Sequence, residues 1–250
     1  MYRHPQAIHN NRLFRWLAGH YRYLSFAALL LIASFSPSIH DRPTRQSSAR
    51  VLCCAAWQTL PGYLLACILL SAILTRIVAV SADSYGLSHL ALEAILQVFV
   101  VELLPLASTL FVAMRAVPMA MLHLAALPGR PGAGLQEALP YVVGNSAAVV
   151  ILAIVGGIVS LTVAYPVFHG FNQWGLPAYS RLIGQVFDPV LAIALSLKIL
   201  FFAVAVGIAP ATVALDPSRR DTGQREMQVM VRLLLILVLI EGSFLMLRRF

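Results

Sequence analysis

Apolar residues in this chain come in long unbroken runs, and charged residues gather between them. Residues 51–75 and 138–180 contain no Asp, Glu, Lys or Arg. Strands of a membrane barrel alternate apolar and polar side chains at period two, and these runs do not. Helices satisfy their own backbone in lipid, and about 20 apolar residues cross the hydrocarbon. The pattern therefore predicts an all-α integral membrane protein with five transmembrane helices, at 58–80, 89–114, 141–166, 186–210 and 228–247.

The first fifty residues follow another pattern. Arg12, Arg15, Gly19 and Arg22 fall on one helical stripe, and Leu13, Trp16, Leu17, His20 and Leu24 fall on a second. Phe14, Tyr21 and Tyr23 add aromatics suited to the headgroup zone. A basic stretch followed by apolar 24–35 and then Ser36-Pro37-Ser38 also has the outline of a secretory signal. The two stripes favour an amphipathic helix lying in the interface, anchored by Arg12, Arg15, Trp16 and Arg22. The linker 36–48, with Pro37 and Pro43, follows it. Two regions result, 1–50 with the interfacial helix and basic linker, and 51–250 with the five spans.

Composition agrees with the pattern. Of 250 residues, 60% are hydrophobic and 11% charged, against about 45–50% and about 25% in a soluble domain. Mean hydropathy is +0.82. The net charge of +8 raises the question of nucleic acid, but its distribution answers it. With the N-terminus inside, Arg3, Arg12, Arg15, Arg22, Arg42, Arg45, Arg50, Arg115, Arg130, Arg219, Arg220 and Arg225 fall on the cytoplasmic side, leaving Arg181, Arg248 and Arg249 opposite. That bias predicts a cytoplasmic N-terminus, an outer C-terminus and no nucleic-acid partner. Cys53, Cys54 and Cys67 form neither a disulfide framework nor a metal-ligand spacing and are expected to pack. No metal site is expected. Gly156-Gly157 in the third span permits close helix approach.

Candidate chemistry lies within the spans. The single lysine, Lys198, sits in an apolar stretch, and Glu102 and Glu241 sit in two others. Each lies about 12–13 residues from its presumed cytoplasmic boundary, or roughly 18–20 Å at 1.5 Å per residue, so the three fall in one layer. Intramembrane charges find partners or mark a substrate route, and both readings apply here. Arg76 and Glu93 lie nearer the outer surface, within snorkelling reach. A phosphate loop, a zinc helix and a nucleophile elbow are all missing from the sequence. No catalytic residue and no enzyme activity is expected.

The stretch Glu102-Leu103-Leu104-Pro105, continuing to Ala113-Met114-Arg115-Ala116, resembles the Glu-Leu-Gly-Pro…Gly-Arg-Ala core of the MlaE-type permeases. These are the membrane subunits of ABC transporters that work with MCE proteins on phospholipids. Gln58-Thr59-Leu60-Pro61 stands at the start of the first span, Lys198 matches a lysine of the family's fourth, Gly223 and Arg225 resemble the turn before the fifth, and Glu241 sits where many members have an acid. The similarity spans residues 45–247. It departs where Leu104 and Met114 replace glycines, and where Val117-Pro118-Met119-Ala120-Met121-Leu122 stands in place of an acid-bearing stretch, with no acid until Glu137.

The resemblance implies a permease subunit in a bacterial inner membrane that moves phospholipids between that membrane and an MCE-domain protein on the outer side. It implies a second permease copy, in a homo- or heterodimer, and a cytoplasmic ATPase subunit that supplies ATP and Mg; this chain itself would hold no cofactor. Glu102, Lys198 and Glu241 would line the lipid path. Arg115, Arg130 and Glu137, in the second-to-third loop, would couple to the ATPase. The alternatives are a non-transporting assembly subunit of a heteromeric complex and an ion-coupled secondary transporter.

Overall fold

A computed structural model describes residues 42–85, 96–125, 133–170, 173–211 and 222–247. The described residues form six α-helices: α1 (Arg42–Tyr85), α2 (Leu104–Ala125), α3 (Ala133–His169), α4 (Leu176–Val186), α5 (Pro189–Ala211) and α6 (Thr222–Leu247). A π-helical turn, Leu96–Leu103, leads into α2, and a 3₁₀ turn, Gln173–Gly175, leads into α4. No strand occurs among the described residues. Among the described residues five helical stretches are long and apolar enough to cross a membrane: Gln46–Ser81, Gln97–Leu124, Glu137–Phe168, Pro189–Ala211 and Glu226–Leu247. The all-α fold and the five spans stand as expected. The expected interfacial helix lies outside the described residues.

Three boundaries differ from the expectation, each for a local reason. α1 starts at Arg42, so the end of the basic linker is already helical. Pro43 suits a first turn, and residues joining an existing helix each add a bond without a new nucleation cost. α2 runs past Arg115 to Ala125 because Ala116, Val117, Ala120, Met121 and Leu124 continue one buried stripe, the spacing of an amphipathic helix. The loop expected after Arg115 is thus largely helix. The fourth span begins at Pro189, preceded by α4, which buries Tyr179, Leu182 and Val186 on one side.

α3 is the centre of the bundle and packs against α1, α2 and α5. Gly156 permits this. A Cβ there would collide with the Tyr63 hydroxyl of α1 and lie 2.6 Å from Leu104 Cδ2, whereas one at Gly157 would meet nothing within 4 Å. Tyr63 is fully buried and meets Phe111 of α2 edge-on, with ring centroids 5.5 Å apart. Gly207 plays the same part between α5 and α3, where a Cβ would stand 2.7 Å from the Val142 carbonyl. Side-chain hydroxyls tie the helices to one another's backbone, the usual polar link where lipid offers no hydrophobic drive. Ser71 donates to the Ser160 carbonyl at 3.1 Å, Ser146 to Ala203 at 2.8 Å, and Tyr179 to Leu161 at 2.8 Å. Burial of Tyr179 in α4 pushes its phenol up to about 12. Ile73, Ile77, Ile154, Ile158, Leu235 and Leu239 face outward, as a lipid-facing surface requires.

Gly156→Ala should lower the unfolding midpoint in detergent, at a cost of about 1–3 kcal/mol for overpacking. Gly157→Ala should be neutral or slightly stabilising, since open space surrounds it and alanine favours helix. Equal effects at the two positions would contradict the packing.

Candidate functional site

Lys198 lies within α5, 2% exposed, enclosed by an otherwise apolar helix. An ammonium group there must spend its hydrogens on protein acceptors, because insertion of a lysine at mid-membrane costs about 2.5–3.5 kcal/mol even on lenient scales. It has three hydrogens to donate, and three acceptors surround it. Nζ donates to Glu102 Oε2, to Glu241 Oε1 at 2.7 Å and to the Val101 carbonyl at 3.2 Å. The Phe202 ring lies below, its centroid 5.9 Å from Nζ, within cation–π range.

The Val101 carbonyl is available for a reason written in the sequence. Pro105, four residues later, has no amide hydrogen to give it an α-helical bond. The π-helical turn Leu96–Leu103 meets that proline, and Ser108 and Thr109 both donate to the Pro105 carbonyl, at 2.9 and 2.6 Å. π turns of this kind re-aim side chains within a helix. Here the turn carries Glu102.

The three charged side chains foreseen in one layer are therefore in direct contact. α5 supplies the cation, the turn before α2 one carboxyl and α6 the other. Lys198 is enclosed, whereas the Glu102 and Glu241 side chains are 15% and 17% exposed. Glu241 Oε2 is buried with no hydrogen-bond partner among the described residues. The cluster is thus closed around its cation and opens to the outside through its acids. It holds one positive group and two carboxyl groups, so it is able to exchange partners without stranding the lysine.

The other expected site residues divide. Arg115 is exposed and lies in α2, not in a loop; its Nε donates to Gln58 Oε1 of α1 at 3.2 Å. Glu137 is exposed in the second turn of α3. They do not join the Lys198 cluster. Arg130 and the anchor residues Arg12, Arg15, Trp16 and Arg22 lie outside the described residues, as does Glu93. Cys67 packs in the core as expected, but Cys53 and Cys54 are exposed. The Val101 carbonyl and Phe202 are the contributors that sequence reasoning missed. The signal for the first was Pro105, read as part of a motif and not as the loss of a donor.

The chain matches no protein-family model and no curated protein.

Lys198→Ala should destabilise the protein by about 3–5 kcal/mol, the usual cost of stranding buried partners of an ion pair. A triple exchange, Lys198→Met with Glu102→Gln and Glu241→Gln, should recover most of that loss in the same thermal unfolding assay. A single variant no less stable than wild type would show that the cluster does not hold the helices together.

Proposed function

We propose that this chain is the permease subunit of an ABC transporter of MlaE type, moving phospholipids between a bacterial inner membrane and an MCE-domain protein outside it. The observation that carries this reading is the Lys198 cluster. The residues through which the chain resembles that family, Glu102, Lys198 and Glu241, meet in one cluster, with the two acid side chains partly exposed. A purely structural ion pair would be expected to close off both partners.

On this reading two copies of the chain face each other, and the exposed acids look into the space between them. ATP hydrolysis with Mg in a cytoplasmic ATPase subunit supplies the energy. The helices move as rigid bodies between a state with an open lipid pocket and a collapsed one. Apolar walls hold the acyl chains. In the empty state all three ammonium hydrogens are used, so a lipid phosphate gains Lys198 only by displacing a carboxylate, and the returning carboxylate releases it. Lysine suits this exchange because it acts as a point charge, not a bidentate clamp. The arginine bias supports an N-terminus in the cytoplasm and a C-terminus on the outer side. The chain performs no covalent chemistry itself.

One observation favours a second reading, a non-transporting subunit paired with a conventional permease. Residues 116–125, where an acid-bearing coupling stretch would be expected, continue α2 as an apolar helix.

Purification of the tagged chain from its native membrane should recover an ATPase subunit, an MCE-domain protein and phospholipid, identified by mass spectrometry. Reconstituted in vesicles, the complex should move a fluorescent phospholipid on addition of ATP. The triple variant Lys198→Met, Glu102→Gln and Glu241→Gln should fold and lose at least about tenfold in rate, which is about 1.4 kcal/mol of barrier. Recovery with only a second permease would favour the second reading, and unchanged transport by the triple variant would sink the assigned role of the cluster.

A further inference from the structure

At the opposite depth from the outer surface, α1, α2 and α3 enclose a cavity of about 460 Å³. It lies at the Arg115 end of the bundle. Arg115 stands 13 residues along the helix from Glu102, hence about 20 Å from the Lys198 cluster, more than half the thickness of a hydrocarbon layer of about 30 Å. Among the described residues every charged side chain lining the cavity is basic, Arg50 from α1 and Arg115 from α2, with His123 beside them. Among the described residues neither arginine has an acid within ion-pair distance. All three basic side chains are exposed, so the cavity opens to the outside.

Its depth is polar in a particular way. Asn145 of α3 lines the cavity, is 1% exposed, and its Nδ2 has no hydrogen-bond partner among the described residues. An amide donor buried without an acceptor costs free energy that a bound acceptor would return. Arg115 is held in place by Gln58 through Nε, a bond that leaves the hydrogens of its two terminal nitrogens out of that contact. His123 stacks on Tyr141, ring centroids 6.2 Å apart, at the cavity wall. Donors from three helices thus line one cavity, and no carboxylate stands among its described lining residues. Ser47 and Gln58 also line the cavity, and most of the remaining wall is apolar, with Val51, Ala55 and Met119.

We infer that this cavity binds a phosphate-bearing anion, supplied by the headgroup of a membrane lipid. Arginine suits phosphate, since its planar fork matches two oxygens at once. Free inorganic phosphate offers the same oxygens, but it leaves the apolar wall without a partner, and a position that far along the helix from the Lys198 cluster lies toward the headgroups. The inference does not depend on the transport reading: it concerns a different site and requires no ATPase.

The test uses the full chain purified in an uncharged detergent, with dioctanoylphosphatidylglycerol, dioctanoylglycerol and inorganic phosphate as probes, and binding read by titration calorimetry. The phosphate-bearing lipid should bind at least about tenfold more tightly than either other probe. Arg50→Gln with Arg115→Gln should weaken it at least about tenfold, and so should Asn145→Asp, which turns the deep donor into an acceptor. Arg76→Gln and Arg181→Gln, at the other end of the bundle, should leave it unchanged. Because Arg50 and Arg115 are exposed, their double variant should keep the wild-type melting temperature, so lost binding is not lost fold. Equal binding of the two lipids, or full binding by the double arginine variant, would overturn the site. Inorganic phosphate binding as tightly as the lipid would overturn the lipid as its source. Failed lipid transport with intact binding here would count against the proposed function and not against this site.

Discussion

One buried ammonium group governs this structure. Lys198 sits in a helix that is otherwise apolar, where a charge is tolerated only if every hydrogen finds an acceptor. Meeting that demand fixes the positions of three elements at once, because the acceptors come from the π-helical turn before α2 and from α6. α6 in particular has an outer face that is almost wholly apolar and few buried side chains besides Leu233 and Leu237. Its register against α5 is set by Glu241 and by the Phe201–Phe244 ring pair, whose centroids are 6.1 Å apart.

The rest of the bundle is organised to hold that arrangement. α3 passes through the middle, close to α1 at Gly156 and close to α5 at Gly207, so α5 cannot shift without repacking the core. Hydroxyl groups bridge α1 to α3 and α3 to α5 through backbone carbonyls. These contacts make the α1, α3 and α5 body the stiffer part, with the acid-bearing turn and α6 applied to one side of it. The cation thus belongs to the body built on α3, and both carboxyl groups belong to the elements applied to it.

Much of this was legible in the residues, and the exceptions have physical causes. Uninterrupted apolar runs revealed the five spans, because length and hydropathy alone decide whether a helix suits lipid. Counting residues put Glu102, Lys198 and Glu241 at one depth, because rise per residue is constant. Contact was not legible, since a depth does not fix the rotation of a helix about its axis. The ends of α1 and α2 were misjudged because polar or basic residues such as Arg50 and Arg115 stop a hydrocarbon segment without stopping a helix. Composition suggests packing for Cys53 and Cys54, yet α1 leaves both exposed and buries Ala55, Thr59 and Tyr63. The cavity between Arg50, Arg115 and Asn145 was invisible in the sequence, since its donors come from three helices and no local spacing joins them.

The chain's single lysine makes a direct test of the central claim available. Labelling lysine with nitrogen-15 and glutamate with carbon-13 and recording solid-state magnetic resonance spectra in lipid bilayers would give one side-chain nitrogen signal with no assignment problem. The account predicts an ammonium signal with short dipolar contacts to two glutamate carboxyl carbons, one lost in Glu102→Gln and the other in Glu241→Gln. A neutral amine, or an ammonium without a carboxyl contact, would contradict it.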